Sequence, residues 1–215
     1  MPFAGEEPHD AGRPPGRPLS DAFFARSADL VARDLIGKLL WRRGAGGGRL
    51  AEVEAYLPDE DPACHGARGK TPANLHLFGP PGTLYVYINY GLHHLMNIAT
   101  LEEGVGTGVL LRALEPLWGL DALRRNRGDD TGNLRPTLIA SGPGRLGQAL
   151  AADLSLGGRP LGEASGIFLS DDGCRPEVEV TPRIGLSVAK ELRLRYIWPG
   201  SRYLSRPPRR GVKAL

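Results

Sequence analysis

Cysteines, aromatic residues and long apolar runs are all scarce in this chain. Its two cysteines, Cys64 and Cys174, stand far apart and outside any C-x-x-C pair. This spacing argues against a disulfide framework and against a zinc module, and it favours a reducing cytoplasm as the compartment. No run approaches the ~20 apolar residues of a transmembrane helix. The amino terminus also lacks the apolar stretch of a signal peptide.

The charge balance is only mildly basic. The formal net charge is +3 over 215 residues, and the pI is about 9.0. A basic pI is typical of nucleic-acid binders, but a charge this small gives weak support. Arginine far outnumbers lysine, which suits contacts with phosphate. A GC-rich genome would produce the same bias, so composition leaves nucleic-acid binding open.

The length allows one sizeable core and does not require two domains. Residues 1–18, rich in Pro, Gly and charge, are predicted to be a disordered leader. A single domain is expected at 19–206, with a basic tail at 207–215. Strand-like runs follow one another as hairpins, and the run that ends at Pro116 is one of them. This order predicts an α+β fold with a mixed, mainly antiparallel curved sheet, flanking helices and a protruding β-hairpin.

The segment AEVEAY carries two carboxylates on one face. On a strand, alternate side chains share a face, so Glu52, Glu54 and Tyr56 point the same way. A face of this composition is a poor core face. On this segment alone, a solvent-exposed edge strand is the preferred interpretation.

A second segment, LYVYINYGLHHLMN, favours a functional interpretation over a plain exposed strand. It holds Tyr85, Tyr87 and Tyr90, and four of the six tyrosines in the chain fall between Tyr56 and Tyr90. Tyr90 and Leu92 bracket Gly91 at the predicted hairpin tip. Exposed large side chains at such a tip suit insertion between base steps, into the gap left by a displaced base. The alternative is that these tyrosines belong to the core or are covered by the C-terminal tail.

Arg112 lies among apolar neighbours in the run GVLLRALEP. A buried arginine needs a partner because desolvation of an unpaired guanidinium is costly. Glu54 and Glu115 are the candidate carboxylates.

Two further residues have both a functional and an ordinary interpretation. His65 follows Cys64, but no other ligands stand at zinc spacing, so packing, hydrogen bonding or stacking on a base is favoured over metal binding. Arg145 lies in SGPGRLGQAL, which predicts a helix start. Such a start can hold a phosphate or simply be capped.

Several segments together resemble the 3-methyladenine DNA glycosylases of the alkyladenine type. In order they are EVEAY, HLFGPPGTLYVYINYGLHHLMNI, GVLLRALEPLWGL, SGPGRLGQAL and PRIGL, and the likeness runs from about Asp29 to Trp198. The resemblance implies a single mixed α/β domain, a base excision repair enzyme without metal or cofactor, and water as the nucleophile. It also implies a monomer in the bacterial cytoplasm, at the nucleoid. The expected partner is double-stranded DNA with alkylated or deaminated purines, and no membrane is involved.

The resemblance assigns catalytic roles by position. Glu54 matches the general base that activates water, and Arg112 matches the arginine that helps to hold this water. The backbone near Ile184 matches an assisting carbonyl.

The same comparison assigns binding roles. Tyr56, His65 and Tyr87 match the residues that sandwich the flipped base. Asn97 matches the asparagine that crowds the exocyclic amino group of guanine, and Tyr90 matches the inserted tyrosine. Beside it, Leu92, His93 and His94 replace bulkier or sulfur-bearing side chains of animal members, so the tip contacts differ although Leu92 is still expected to intercalate. Arg145 is expected at a phosphate.

Three functions are therefore compared below. The first is a monofunctional glycosylase for 3-methyladenine and 7-methylguanine, with ethenoadenine and hypoxanthine as further candidate substrates. The second is a non-enzymatic binder of damaged DNA with the same wedge. The third is a small-molecule hydrolase that uses Glu54 and Arg112.

Overall fold

The computed structural model describes residues 16–207. The predicted leader and basic tail lie almost wholly outside this range. The part of the leader that is described is ordered, because Arg17 and Pro18 pair with a strand near the other end of the chain. The domain boundaries expected near residues 19 and 206 stay predictions.

Nine strands within residues 16–207 form one curled sheet. They are β1 Arg17–Pro18, β2 Leu39–Arg42, β3 Gly46–Tyr56, β4 Leu84–Asn89, β5 His93–Ala99, β6 Gly108–Trp118, β7 Ile167–Asp171, β8 Glu179–Thr181 and β9 Arg195–Ile197. The order along the sheet is β1-β7-β2-β3-β6-β5-β4, with β9 paired to β3 and β8 paired to β9. Every strand pair in this range is antiparallel. The α+β prediction is confirmed, and the described sheet is more uniformly antiparallel than the expected mixed one.

Short helices accompany the sheet. They are α1 Asp21–Phe24, α2 Ala28–Leu35, α3 Leu120–Asn126, α4 Pro136–Ile139 and α5 Pro143–Ala149, with 3-10 turns at His65–Arg68, Leu75–Phe78 and Leu154–Leu156. None of the helices within residues 16–207 has the length and apolar character needed to cross a bilayer.

The strand predicted to close at Pro116 is longer than expected. β6 continues to Trp118, and Pro116 pairs with Gly48 next to a register irregularity in β3. Proline lacks an N–H for the ladder, so it is tolerated in a strand where regular pairing is already interrupted.

Two groups of buried apolar residues support the sheet. The larger one includes Val31 and Leu35 from α2 and Val53 from β3. Each such buried aliphatic side chain contributes about 1.5–3 kcal/mol of transfer free energy. The smaller one is formed by Cys64, Leu77, Phe78 and Tyr85, with Tyr56 and Tyr87 packed against it. This second group forms the base of the site described next.

Candidate active site

The two carboxylates of β3 are buried in the middle of the sheet. β3 pairs with β6 along one side, and along the other side it pairs first with β2 and then with β9. Glu52 and Glu54 both have 0% relative exposure. The interpretation of this segment as a solvent-exposed edge strand is therefore wrong, because β9 comes from a distant part of the chain to cover the edge.

Glu54 is held by three donors from three parts of the chain. Its Oε1 accepts a 2.8 Å hydrogen bond from the backbone N–H of Ile184. Its Oε2 accepts hydrogen bonds from Nη1 of Arg112, at 2.9 Å, and from the hydroxyl of Tyr56, at 3.1 Å. The segment near Ile184, which was expected to contribute a carbonyl, thus contacts Glu54 through its N–H.

Arg112 is shared between the two carboxylates. Its Nε donates to Oε1 of Glu52 at 2.8 Å, while its Nη1 donates to Glu54. The expectation of a carboxylate partner is confirmed for Glu54. Among the described contacts of Arg112, Glu52 takes the place expected for Glu115.

Burial and charge act in opposite directions on these two acids. Burial raises the pKa of Glu54 above the ordinary glutamate range, and Arg112 offsets this only in part. Burial also raises the pKa of Glu52, but Arg112, Arg195 and Ser205 outweigh it and leave this pKa lowered. Arg112 lowers the pKa of Glu54, as an opposite charge does, but desolvation is the larger effect and leaves this pKa raised.

An aromatic pocket lies beside Glu54, and one of its wall residues, Tyr56, is hydrogen-bonded to that carboxylate. Its walls combine four ring-bearing residues with small, apolar or amide groups: Tyr56, His65, Leu77, Tyr85, Tyr87, Asn97 and Gly108. Pockets of this kind, apolar with a few placed polar groups, are typical of small-molecule sites. All four predicted base-binding residues lie in this one pocket.

The rings in the pocket contact one another. The centroid of His65 lies 4.7 Å from that of Tyr87, and Tyr85 and Tyr87 stack at 5.4 Å with 28° between their planes. Nδ1 of His65 is 2.9 Å from the hydroxyl oxygen of Tyr85. Burial lowers the pKa of His65, which favours the neutral imidazole. Tyr85 was missing from the predicted base-binding residues, although it shares a strand face with Tyr87.

Cys64 belongs to the smaller apolar group and packs with residues that line the pocket. It is buried, its thiol donates to the carbonyl of Gly106 at 3.2 Å, and burial raises its pKa to about 11. The described residues contain no group of three or more His, Cys, Asp or Glu side chains arranged for a metal ion.

A buried ion pair supports Tyr56 from behind. The guanidinium carbon of Arg183 lies 4.5 Å from the centroid of the Tyr56 ring. Arg183 donates to both carboxylate oxygens of Asp61, at 2.6 and 2.7 Å, and to the carbonyl of Ala55. This pair was not predicted, because its members are 122 residues apart and neither stands in a local sequence pattern.

Asn97 is fixed at the pocket wall. It is buried on β5, and its Nδ2 donates to the carbonyl of Tyr85 at 3.2 Å on the neighbouring strand. This hydrogen bond holds the amide at the pocket wall.

The predicted wedge lies at the tip of the β4–β5 hairpin. Tyr90 and Leu92 are 85% and 79% exposed, and the N–H of Leu92 donates to the carbonyl of Asn89 at 3.1 Å. Tyr90 has a φ of +50° and Gly91 a φ of +69°. A left-handed backbone is unfavourable for a tyrosine, and exposure of its ring to water is unfavourable as well. The turn nevertheless presents Tyr90 to solvent. The alternative that these tyrosines belong to the core holds for Tyr85. The tail that was the other candidate cover lies almost wholly outside the described residues.

Arg145 lies on α5, which packs against the hairpin strand β5. A Cβ at Gly147 would stand 2.0 Å from the carbonyl oxygen of His94, so this close packing requires glycine. Arg145 is exposed, and its Nη1 donates to the hydroxyl of Ser141 at 3.1 Å.

The chain is similar to known proteins over most of its length. The profile of the family described as methylpurine-DNA glycosylase (MPG) matches residues 22–202. Proteins named as candidate 3-methyladenine DNA glycosylases are similar over most of their length. The one from Koribacter versatilis is 46% identical over 194 residues, which are 87% of this chain and 93% of that protein. The one from Burkholderia lata is 45% identical over 200 residues, which are 92% of this chain and 95% of that protein. The one from Methanoculleus marisnigri is 44% identical over 195 residues, which are 87% of this chain and 98% of that protein. The chain therefore belongs to the methylpurine-DNA glycosylase family, a family of hydrolases that have DNA as their substrate.

Proposed function

We propose that this protein draws one alkylated purine out of duplex DNA, holds it in the aromatic pocket, and hydrolyses its N-glycosidic bond with a water activated by Glu54. The substrates are 3-methyladenine and 7-methylguanine, with ethenoadenine and hypoxanthine as further candidates. The protein acts as a monomer on chromosomal DNA in the bacterial cytoplasm, and it needs no cofactor.

One observation carries the proposal: a fully buried carboxylate is joined to the wall of the aromatic pocket. Tyr56 lines the pocket, and its hydroxyl donates to Glu54 at 3.1 Å. A base that packs on Tyr56 would bring its sugar close to Glu54. The carboxylate is then placed for proton transfer and for stabilisation of the positive charge that develops on the sugar.

The described hydrogen bonds of Glu54 leave one acceptor position of the carboxylate unused. A carboxylate has about four acceptor positions, and Arg112, Tyr56 and Ile184 occupy three of them. The remaining position, on Oε1, would take the nucleophilic water. The raised pKa of Glu54 fits a general base, since its affinity for the water's proton is increased.

The pocket walls favour alkylated bases for an electrostatic reason. A purine alkylated at N3 or N7 carries a positive charge, and each aromatic face attracts such a cation by about 0.5–2 kcal/mol. Tyr56, Tyr87 and the neutral His65 supply these faces. The same positive charge weakens the glycosidic bond because the base leaves as a neutral molecule. Neutral lesions need protonation of the departing base, a step for which the pocket has no assigned acid.

Tyr90 would fill the gap left by the flipped base. Unstacking costs a few kcal/mol per base step, and an inserted apolar side chain offsets part of it. The tip presents Tyr90 and Leu92 together in solvent, and Arg145 lies on the helix beside the hairpin strand. We assign Arg145 to a phosphate of the bound strand.

The two alternative functions explain fewer of these features. A non-enzymatic binder needs no carboxylate at its base pocket, and burying Glu54 costs several kcal/mol of desolvation before its partners are counted. A small-molecule hydrolase has no use for an exposed tyrosine on a strained turn.

Release of free base from duplex DNA tests the proposal. Duplexes that contain 3-methyladenine, 7-methylguanine, ethenoadenine or hypoxanthine are incubated with the full chain, and the released base is identified by chromatography. Release of the methylated purines is expected, with an unmodified duplex as the substrate control. Binding without release of any base would favour the binder, and no affinity for DNA would contradict both DNA-based functions.

A further inference from the structure

Glu52 has no role in the proposed reaction, yet it accepts four described hydrogen bonds where Glu54 accepts three. Its Oε1 accepts from Nε of Arg112 at 2.8 Å, from Nε of Arg195 at 2.9 Å and from the hydroxyl of Ser205 at 2.7 Å. Its Oε2 accepts from the backbone N–H of Ser205 at 2.7 Å. A carboxylate in such a network is ionised and fixed in position.

The guanidinium of Arg112 connects this network to the reaction centre. Nε faces Glu52 and Nη1 faces Glu54, so the planar group is held at two edges. Because the guanidinium is rigid, a change at the Glu52 edge alters the direction and the strength of the contact at the Glu54 edge. Arg112 also reaches the hydroxyl of Ser205 at 3.4 Å.

We propose that Glu52 is a positioning residue, which acts on Glu54 through the guanidinium of Arg112 that both carboxylates share. Glu52 takes up part of the positive charge of Arg112, and Arg195 and Ser205 hold Glu52 in place for this purpose. Glu54 is then neutralised less completely and keeps the affinity for protons that a general base requires. This inference rests on the proposed function of Glu54.

The sign of the effect follows from the charges around Glu54. The charged and titratable groups that face Glu54 are Glu52 and Tyr56 on β3, Arg112 on β6, Tyr87 on β4, and Arg183 beside Ile184. Behind them, Arg195 contacts Glu52 and Asp61 contacts Arg183. The negative charge of Glu52 raises the pKa of Glu54, and the positive charge of Arg112 lowers it. Removal of the charge at Glu52 leaves Arg112 free to act on Glu54 alone. The pKa of Glu54 must then fall.

The test is the pH dependence of single-turnover base release from a 7-methylguanine duplex. Since the ionised form of Glu54 is active, the acidic limb of the profile reports its apparent pKa. Glu52→Gln should move this limb to lower pH by about 1 unit. Glu115→Gln is the matched control, because it removes a carboxylate from β6 that does not contact Arg112 among the described bonds, and its limb should stay in place.

A second variant covers the case in which Glu52→Gln does not fold. Ser205→Ala keeps both carboxylates and removes the hydroxyl that donates to Glu52. Glu52 then draws more strongly on Arg112, so the limb should move to higher pH by less than about 1 unit. An unchanged limb in Ser205→Ala, and in Glu52→Gln where it folds, would overturn the inference.

The outcomes separate this inference from the proposed function. A wild-type chain that releases no base, or a Glu54→Gln variant that releases it at the wild-type rate, contradicts the proposed function itself. A wild-type chain that is active and a Glu54→Gln variant that is not, together with unmoved limbs in the Glu52 and Ser205 variants, contradict only the positioning role.

Discussion

The hydroxyl of Tyr56 donates a 3.1 Å hydrogen bond to Oε2 of Glu54. The two residues are next-but-one neighbours on β3, so the strand alone brings them to the same face. Burial raises the pKa of the tyrosine well above its usual range, and its phenol stays protonated as a donor. A ring that would hold the base and a carboxylate that would activate water are thereby fixed relative to each other.

Tyr56→Phe should separate the contact of the ring with the base from the hydrogen bond of the hydroxyl to Glu54. The ring remains, so lesion affinity should change little. In the wild type, the hydrogen bond from Tyr56 stabilises the ionised form of Glu54. Loss of this bond therefore raises the pKa of the Glu54 carboxyl further. The acidic limb of the rate profile, already above the ordinary glutamate value of about 4.3, should move to higher pH by about 1 unit. Single-turnover rates between pH 4 and pH 8 check this, and a limb that moves to lower pH would contradict it.

Tyr90→Gly should reduce activity without reducing stability. The side chain is 85% exposed, and its backbone φ of +50° suits glycine better than tyrosine. Relief of strain and the greater freedom of the unfolded chain oppose each other, so the free energy of unfolding should change by less than about 1 kcal/mol. Capture of the extruded base should weaken about tenfold or more, because the gap in the stack is no longer filled.

Fluorescence of an ethenoadenine duplex measures that capture, and thermal unfolding measures stability. Leu154→Gly is a matched control, since Leu154 is another exposed apolar residue outside the hairpin. Equal capture by wild type and Tyr90→Gly would count against the wedge.

Asn97→Ser should relax selection against normal guanine. The amide is fixed at the pocket wall by its 3.2 Å bond to the carbonyl of Tyr85. A smaller side chain leaves space for an exocyclic amino group, and the lost hydrogen bond costs about 1 kcal/mol of stability. We expect slow release of guanine from undamaged duplex DNA, measured by chromatography after long incubation. If guanine release stays at the wild-type background while methylated purines are still excised, Asn97 has no part in selection.

Arg145→Gln should weaken DNA binding in a salt-dependent manner. If Arg145 contacts one phosphate, the slope of log K against log salt concentration should fall in magnitude by about 1. Arg175→Gln is the control, because Arg175 is also exposed but pairs with Asp171 of β7, near the opposite edge of the sheet. The same slope for Arg145→Gln and wild type would remove Arg145 from the phosphate contacts.

Much of the fold could be predicted because local patterns determine it. The β2–β3 and β4–β5 hairpins follow from strand-like runs around glycine turns, and α2 follows from apolar residues at helical spacing. β1 was missed because a two-residue strand has no periodicity of its own. Its pairing with β7 depends on a partner far along the chain.

The sequence predicted Tyr56, His65, Tyr87 and Asn97 in the pocket but not Tyr85, and it did not predict the electrostatics of the site. Periodicity placed Glu54 beside Tyr56, and the resemblance singled out Glu54 over Glu52. The burial of both acids depends on β9 and on Ser205, which no pattern near Glu54 reveals. For the same reason the sequence could not give the raised pKa of Glu54, which results from desolvation by distant segments.

The central claim is that Glu54 activates the water, and paired measurements on Glu54→Gln test it most directly. The amide keeps the shape of the carboxylate and cannot accept the proton. Affinity for a duplex with a single lesion and the single-turnover rate of base release are measured on the same preparation. We expect affinity within about threefold of wild type and a rate reduced by a factor of about 10²–10⁴. A Glu54→Gln variant that binds the lesion and releases the base at the wild-type rate would contradict the account.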